Sequence, residues 1–282
     1  MRSFRDSLGE QPILASKHYD APSVLTPRNM LREARRQKKL PMERVPRICI
    51  LDPDGDLVEF LHASNGAQRL GSWACFHTVL DTFVHEGIEY GIVGGTVGAS
   101  FSVLVAEELF ESGCELLINI SSAGRISSLD QEPPYVILIE KALRDEGTSY
   151  HYLPPSPYSH LNPFLKEIVL HTWDYERVPL YTGTSWTTDA PFRETEEMLE
   201  VGRAHNILTI EMEAAALYAL GTARQQHIVC FAYVTNSLGS IEGDFEKGMA
   251  NGSLTNLDVI GQTAEHWLRW QTKLIESEQA EA

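Results

Sequence analysis

The chain of 282 residues is poor in basic residues and in long apolar runs, and each shortage excludes a class of function. It has 23 lysines and arginines against 39 aspartates and glutamates, which gives a formal net charge of -16. Such a surface repels phosphate backbones and anionic lipids, so we expect neither nucleic acid nor a membrane as a partner. No apolar run reaches the roughly 18 residues of a membrane helix. The N-terminal MRSFRDSLGEQPIL has no apolar core like that of a secretory signal, so we expect a cytoplasmic protein.

Cysteine is also scarce, and its positions form no pattern that metal or redox chemistry would use. Structural zinc sites need closely spaced pairs, and disulfides belong to oxidising compartments. The sequence therefore predicts reduced thiols in the core, no metal site and no bound cofactor. The four residues, with no Cys-x-x-Cys pair among them, are Cys49, Cys75, Cys114 and Cys230.

Apolar residues are plentiful, at 43% of the chain, which is enough for one large α/β core or two small domains. Short apolar runs alternate with helical patterns, and continuous apolar strands predict a sheet covered on both faces. The predicted strands are 47–51, 90–95, 115–121, 135–140, 179–186, 207–212 and 228–235. The predicted helices are 99–112, 161–172, 192–204, 213–225 and 254–276.

The first 46 residues differ from the rest of the chain. They form an irregular arm and then a basic segment, TPRNMLREARRQKKLP, which predicts a solvated amphipathic helix between Pro27 and Pro41. We therefore divide the chain into an N-terminal arm and basic helix, residues 1–46, and one α/β domain, residues 47–278.

Polar residues follow four of the predicted strands, at the ends where open α/β sheets bind ligands. These segments are GGTVGAS (94–100), INISSAG (118–124), EME (211–213) and VTNS (234–237). The glycines of the first let backbone N–H groups approach a ligand where a helix begins. In the third, Glu211 and Glu213 lie between an apolar strand and an alanine-rich helix. A buried carboxylate without a partner costs several kcal/mol, so we expect these two to hold either a ligand or the chain itself.

The segment IEMEAAALYA (210–219) resembles the ribose-binding motif of the nucleoside phosphorylase family. That family includes hexameric purine nucleoside phosphorylases, uridine phosphorylases and methylthioadenosine nucleosidases. GGTVGASFSVLVAEEL, LINISSAGRI, SWTTDAPFRE and VTN match other family segments in the same order, and the resemblance covers about residues 45–275. It implies a single-domain, three-layer α/β/α fold with a central mixed sheet. It also implies an enzyme that cleaves the N-glycosidic bond of a purine or pyrimidine nucleoside.

On the sugar side, the resemblance implies that Glu213 accepts hydrogen bonds from the ribose hydroxyls and that Met212 packs on the sugar. Glu211 either joins the ribose site or orients the loop. Breaking the bond builds positive charge on the sugar, which a preorganised carboxylate such as Glu213 stabilises. His18 resembles a histidine on the family's N-terminal arm that reaches the 5′-hydroxyl in a neighbouring subunit. We therefore expect a shared site in a homodimer or in a hexamer built as a trimer of dimers.

On the base side, the resemblance implies that Phe192 stacks on the base and Arg193 contacts a carbonyl oxygen, with Gly124 and Asn236 completing the site. Adenosine-cleaving members have an aspartate where Asn236 stands. A carboxylic acid can protonate a leaving purine, whereas an asparagine can only donate and accept hydrogen bonds. This difference favours a 6-oxopurine or a pyrimidine.

The chain departs from the family wherever the phosphorylases hold phosphate with arginine. The family's Gly-Asp-Pro-x-Arg turn reads LDPDGDLVEFL here, with Pro53 at the glycine and Leu57 at the arginine. The central strand has Asn119 in place of an arginine. The arginine from a neighbouring subunit would lie near Phe76 or His77. Neutral donors bind a dianion far more weakly than guanidinium groups do, so we expect weak phosphate binding.

Ser122, Asn119 and the glycine-turn amides around Gly98 remain to bind phosphate or water. Water is one candidate nucleophile, because INISSAG is closer to the nucleosidase branch of the family. That branch has a water-binding glutamate near position 57, where the nearest carboxylates here are Asp54 and Asp56.

Two other interpretations stay open. Arg125 or the basic N-terminal helix could supply the missing positive charge, with phosphate as the co-substrate. Alternatively, the protein is a non-catalytic module that binds nucleosides.

Overall fold

A mixed sheet of ten strands and seven helices make up the part of the chain that the structure describes. The structure is a computed structural model, and it describes residues 12–15, 17–129, 131–238 and 242–281, with side chains up to residue 273. The strands are β1 (Ile48–Asp52), β2 (Ala67–Arg69), β3 (Asp81–His85), β4 (Ile88–Gly94), β5 (Leu116–Arg125), β6 (Tyr135–Asp145), β7 (Tyr158–His160), β8 (Leu180–Thr188), β9 (Ile207–Glu211) and β10 (His227–Asn236). The helices are α1 (Pro27–Lys38), α2 (Asp56–Ala63), α3 (Ala99–Glu111), α4 (Pro163–His171), α5 (Glu196–Ala204), α6 (Ala214–Arg224) and α7 (Ser253–Glu281).

Strand β5 lies at the centre of the sheet. It pairs in parallel with β1 and with β10, and β4 lies parallel beyond β1. The carboxyl ends of these four strands therefore meet at one edge. Beyond β10 the sheet continues through β6, β8 and β9, and β9 pairs with the end of β5 at Gly124 and Arg125. This return path brings the β9–α6 turn close to the ends of β1, β4 and β5.

Six of the seven helices form two groups, with α1, α3 and α6 in one and α2, α4 and α7 in the other, and α5 packs against β9. With the sheet they form the three-layer α/β/α fold that the resemblance implied. Helix α6 explains the alanine-rich run, because every residue from Ala214 to Leu220 is buried against α3 and the sheet. Small side chains let this helix approach closely, and a helix that is apolar all round is a buried one.

The basic N-terminal segment forms helix α1 as predicted. Pro27 occupies its first turn, and the Thr26 side chain caps it by accepting the Asn29 N–H at 3.2 Å. Arg28, Arg32 and Arg36 lie on the surface, where Arg28 pairs with Glu111 of α3 at 2.9 Å. Exposed pairs of this kind contribute little stability, so the burial of Leu31 and Ala34 against Ala74 holds the helix.

All seven predicted strands and all predicted helices are confirmed, with shifts at their ends. Helix α5 is shorter than predicted, because Thr195 caps it and residues 191–193 form a separate 3-10 turn. The sequence missed α2, β2, β3 and β7. These elements are short and carry polar residues, so no apolar period marks them.

The four cysteines are buried and free, as predicted. Burial raises the pKa of the Cys114 and Cys230 thiols well above the ordinary value. Across the described ranges, every helix is either too short or not apolar enough to span a bilayer.

Candidate active site

A cavity of about 450 Å³ opens at the sheet edge where the strand ends meet. Its wall comes from the turns after β1, β4 and β9 and from the ends of β5, β8 and β10. The sequence-predicted residues that line it are Ser122, Gly124, Phe192, Glu211, Met212, Glu213 and Asn236, together with Asp54.

Glu211, the first carboxylate of the β9–α6 turn, holds the chain. Its Oε2 accepts the backbone N–H groups of Glu213 and Ala214, each at 2.7 Å. Its Oε1 accepts the hydroxyls of Ser185 at 2.9 Å and Thr187 at 2.5 Å, both on β8. Four donors thus satisfy this buried carboxylate, and the geometry favours the orienting role over a ribose contact.

Glu213, the second carboxylate, is 2% exposed and faces the cavity. Its Oε1 accepts the Gly98 N–H at 2.7 Å, and its Oε2 accepts the Met212 N–H at 3.3 Å. Gly98 has a φ of 92°, which side-chain-bearing residues rarely adopt. The glycine turn therefore delivers its amide to Glu213, and Gly98 itself is not among the cavity-lining residues.

The two glutamates share one low-dielectric region. Burial, and after it the charge of Glu211, raises the pKa of Glu213 to about 8. Burial also raises the pKa of Glu211, against the four donors that stabilise its anion. When the pair holds a single proton, Glu213 therefore carries it, because it has fewer donors.

Asn236, at the end of β10, is fixed by its neighbours. Its Oδ1 accepts the Leu238 N–H at 2.9 Å, and its amide group donates to Thr235 Oγ1 at 3.0 Å. Gly124 lies beside it, and a Cβ there would come within 2.2 Å of Leu238 Cδ2. A side chain at this point of β5 would have to displace the Leu238 side chain, so the glycine lets the residues after β10 pack close to β5.

Two aromatic rings stand at the mouth of the cavity. Phe192 is 99% exposed and Phe245 is 66% exposed, and both line the cavity. Arg193 does not line it, contrary to the expectation from the sequence. The single 3-10 turn at 191–193 brings Phe192 to the rim and leaves Arg193 exposed.

In the β1–α2 turn, a carboxylate accepts the Ser122 amide that the sequence offered to phosphate or water. The Asp54 Oδ2 accepts the Ser122 N–H at 2.7 Å. The ammonium of Lys247 lies 3.6 Å from the other oxygen of Asp54 and also donates to Asp56. Lys247 is the one cation among the described residues of the cavity wall, which also carries the carboxylates of Asp54, Glu194, Glu211 and Glu213.

Lys247 is held in place and stays charged. Its carbonyl accepts the Tyr233 hydroxyl at 2.8 Å. Burial alone would lower the pKa of Lys247. The hydrogen bond to Asp56 and the charges of Asp54 and Asp56 nevertheless bring that pKa above the ordinary value.

Asp52, at the end of β1, is a second buried anchor. It is 2% exposed, and its Oδ2 accepts the Val58 N–H at 2.9 Å in the first turn of α2. Burial raises the pKa of Asp52 to about 7, although the Val58 N–H opposes the shift, and the charges of Asp54 and Asp56 add to it.

Other positions named from the sequence lie away from the cavity. Asn119 is fully buried within β5, where β1 and β10 flank it. It does not line the cavity, although the sequence predicted a contact with phosphate or water there. Leu57 is fully buried in α2. Arg125 pairs with Glu132 at 2.9 Å and does not line the cavity. Neither Arg125 nor the arginines of α1 are part of the wall in one subunit.

His18 lines a different cavity of about 600 Å³, beside Lys17, Tyr19 and His151. Within one subunit it therefore does not join Glu213. Its contact with a neighbouring subunit stays a prediction.

Sequence reasoning missed Lys247 and Phe245. Both lie in DFEKG, residues 244–248, beyond the last recognised strand end. A single lysine in a short loop has no periodic signal, and only its approach to the β1–α2 turn reveals it. Within the described residues, no group of three or more histidines, cysteines and carboxylates could hold a metal ion.

The sequence is similar to that of known enzymes that act on nucleosides. The sequence model of the phosphorylase superfamily matches residues 47–260. A guanosine phosphorylase from Halorubrum lacusprofundi is 26% identical over 212 residues, which are 74% of this chain and 78% of that protein.

Solved structures share the fold at lower identity. The purine nucleoside phosphorylase from Toxoplasma gondii, in complex with immucillin-H, gives a TM-score of 0.67 at 18% identity, over 83% of this chain and 94% of that one. The 5′-methylthioadenosine/S-adenosyl homocysteine nucleosidase of Campylobacter jejuni gives 0.64 at 16% identity, over 78% and 99%. Phosphorylases and a nucleosidase thus share this architecture.

Proposed function

The chain belongs to the phosphorylase superfamily, and from that premise we propose that it cleaves the N-glycosidic bond of a nucleoside with water as the nucleophile. The observation that carries the proposal is a pair of carboxylates facing one cavity. Glu213 accepts a hydrogen bond from the backbone N–H of Gly98, and Asp54 accepts one from the backbone N–H of Ser122. The first suits a sugar that becomes positive, and the second occupies the place where an anionic nucleophile would bind.

On the sugar side, Glu213 supplies the charge that the reaction needs. Positive charge develops on the sugar as the bond breaks, and a buried carboxylate stabilises it more than it stabilises the neutral substrate. The unused lone pairs of Glu213 accept the ribose hydroxyls, and Met212 packs against the sugar. Glu211 orients Glu213 through its hydrogen bond to the Glu213 N–H.

On the base side, Phe192 and Phe245 stack on the leaving base. Covering an exposed aromatic ring with a flat apolar surface is favourable in free energy, and both rings are exposed. Asn236 offers a hydrogen bond and no proton, which supports a 6-oxopurine or a pyrimidine as the base.

Water completes the reaction from the Asp54 side. Its oxygen bonds to C1′ as the C1′–N bond breaks, and the electron pair of that bond leaves with the base. One proton of the water passes to the Asp54 carboxylate, and the base takes up a proton from solvent.

Phosphorolysis is the second candidate, and Lys247 favours it. Its ammonium lies on the nucleophile side of the cavity, where a phosphate would bind, and the relative from Halorubrum lacusprofundi is a guanosine phosphorylase. Against it, a phosphate dianion would meet the like charges of Asp54 and Asp56.

Product analysis distinguishes the candidates. Guanosine, inosine, uridine, adenosine and 5′-methylthioadenosine are incubated with the protein, with and without millimolar phosphate. We expect free sugar as the product and a rate that phosphate does not change. A sugar 1-phosphate as the main product supports phosphorolysis. Binding of nucleosides by calorimetry without any cleavage supports the binding module.

Assembly and location remain predictions. We propose a homodimer or hexamer in which His18 of one subunit reaches the site of another, and a cytoplasmic location.

A further inference from the structure

We propose that Asp54 decides which nucleophile the cavity accepts. Its carboxylate fills an anion-binding position and thereby keeps phosphate out. The inference rests on the proposed function as far as the reaction is concerned. The binding that it predicts can be measured without any reaction.

The position is built as an anion site. A backbone N–H and an ammonium group converge on one carboxylate, with Ser122 N 2.7 Å from Oδ2 of Asp54 and Lys247 Nζ 3.6 Å from Oδ1. Strand-end amides and lysine are the donors that hold phosphate oxygens in other proteins. The chain's own carboxylate therefore has the contacts that a phosphate would need.

A second observation concerns the neighbouring residue of β5. Ser121, next to Ser122 on β5, lines the cavity and is 3% exposed. Its Oγ has no hydrogen-bond partner within the described part of the chain. Buried hydroxyls are nearly always paired, so this unpaired one marks a polar place in the wall next to Ser122.

Lys247 would serve an anion once Asp54 was gone. Asp56 holds its ammonium from the other side, and the Asn251 amide donates to Asp56 at 3.3 Å. Tyr233 fixes the backbone of Lys247. Loss of Asp54 therefore leaves the lysine in place, with one carboxylate partner instead of two.

Charge and space together explain the exclusion. A phosphate dianion and the Asp54 carboxylate would compete for the same two donors. If both were present a few ångströms apart, the repulsion would weaken phosphate binding by roughly two orders of magnitude. Water is neutral and small, and it binds to Asp54 instead of displacing it.

The first test measures phosphate binding by calorimetry. Wild type should show no saturation in the millimolar range. Asp54→Ser, which removes both the charge and the bulk, should bind phosphate at least about tenfold more tightly. Adding Lys247→Ala to Asp54→Ser should abolish that gain.

Asp56→Asn is the matched control. It removes the other carboxylate partner of Lys247 but leaves the contact between Asp54 and Ser122 intact. We expect it to bind phosphate no better than wild type. A gain as large as that of Asp54→Ser would overturn the proposal, because general charge removal would then explain the effect.

The second test follows the product. With phosphate, Asp54→Ser should convert a nucleoside that wild type hydrolyses into a sugar 1-phosphate. A phosphate oxygen bonds to C1′ as the C1′–N bond breaks, and the base takes the electron pair and a proton from solvent. Hydrolysis should fall in the same variant, because the acceptor of the water proton is gone.

The outcomes separate the two proposals. If wild type cleaves no nucleoside but Asp54→Ser gains phosphate binding, the proposed function fails and this inference stands. If folded Asp54→Ser binds phosphate no better, or wild type already binds it tightly, the inference is wrong. Should Asp54→Ser not fold, Asp54→Asn decides, because it removes the charge and keeps the size. A smaller gain is expected there, and no gain overturns the proposal.

Discussion

Two strand-to-helix turns that line the cavity follow the same plan. In the β9–α6 turn, Glu211 is buried and accepts the N–H groups that begin α6, while Glu213 faces the cavity. In the β1–α2 turn, Asp52 is buried and accepts an N–H of α2, while Asp54 faces the cavity. Each outer carboxylate also accepts a backbone N–H from a distant segment: Gly98 in the β4–α3 turn donates to Glu213, and Ser122 in β5 donates to Asp54.

The turns differ in what surrounds the outer carboxylate. Glu213 has N–H donors and no cation, so its burial leaves it with a pKa of about 8. Asp54 has Lys247 beside it and is about one-third exposed. A buried carboxylate without a cation is stabilised most when a positive charge develops beside it. A carboxylate that is already paired with a lysine gains less stabilisation from a further positive charge. Under the proposed function, the first turn stabilises a sugar that becomes cationic, and the second excludes anions.

The largest expected effect comes from removing the unpaired charge. Glu213→Gln keeps an oxygen for the Gly98 N–H, so the fold should persist. Turnover of any nucleoside substrate should fall by about 10²-fold or more, a loss of about 3 kcal/mol of transition-state stabilisation. Steady-state kinetics on the folded variant measures this loss.

Glu108→Gln is the control for that variant. Glu108 is 1% exposed in α3 and does not line the cavity, so the same change there should leave turnover near that of wild type. Unchanged turnover in folded Glu213→Gln would remove Glu213 from the mechanism.

Removal of the two inner carboxylates, Glu211 and Asp52, should lower the free energy of unfolding by different amounts. Glu211→Ala leaves four buried donors without their acceptor and should cost about 2–4 kcal/mol of unfolding free energy. Asp52→Ala removes one helix-capping acceptor and should cost about 1 kcal/mol. Chemical denaturation of both variants measures the difference. Equal costs would contradict the picture of a strong and a weak anchor.

The smallest effect is a shift in pH dependence. Because the pKa of Glu213 is raised to about 8, its carboxylate is mostly protonated at lower pH. The value of kcat/KM should therefore rise with pH and level off above about 8. Glu211→Gln removes the charge that helps to raise this pKa, so the rise should move to lower pH. A wild-type profile of kcat/KM that is flat from pH 6 to 9 would show that the titration of Glu213 does not control the rate. A shift of the rise to higher pH in Glu211→Gln would show the same.

The sequence predicted the fold because its signals are local. Continuous apolar strands such as β5 and β10 mark a sheet buried on both faces, and the alanine run of α6 marks a fully buried helix. The order of the segments around Glu213 then identified the family. The sequence did not predict short elements such as α2 and β7, because eight and three residues are too few to show a hydrophobic period.

Part of the site was also predictable. Glu211, Met212 and Glu213 are adjacent in the chain, so their common place on the cavity wall follows from one turn. Arg193 and Asn119 do not line the cavity of one subunit, because a 3-10 turn leaves the first exposed and the sheet buries the second. His18 shows the limit of a single subunit, since its predicted partner lies on another copy.

The sequence by itself determined the layers, the position of the cavity at the strand ends and the absence of the family's phosphate arginines. Each of these depends on residue type and local order along the chain. Only the tertiary structure decided how the carboxylates are used. Ser122 lies 68 residues from Asp54, and Gly98 lies 115 residues from Glu213. Lys247 pairs with Asp56 across 191 residues. Burial and charge compensation depend on neighbours in space, and no pattern along the chain records them.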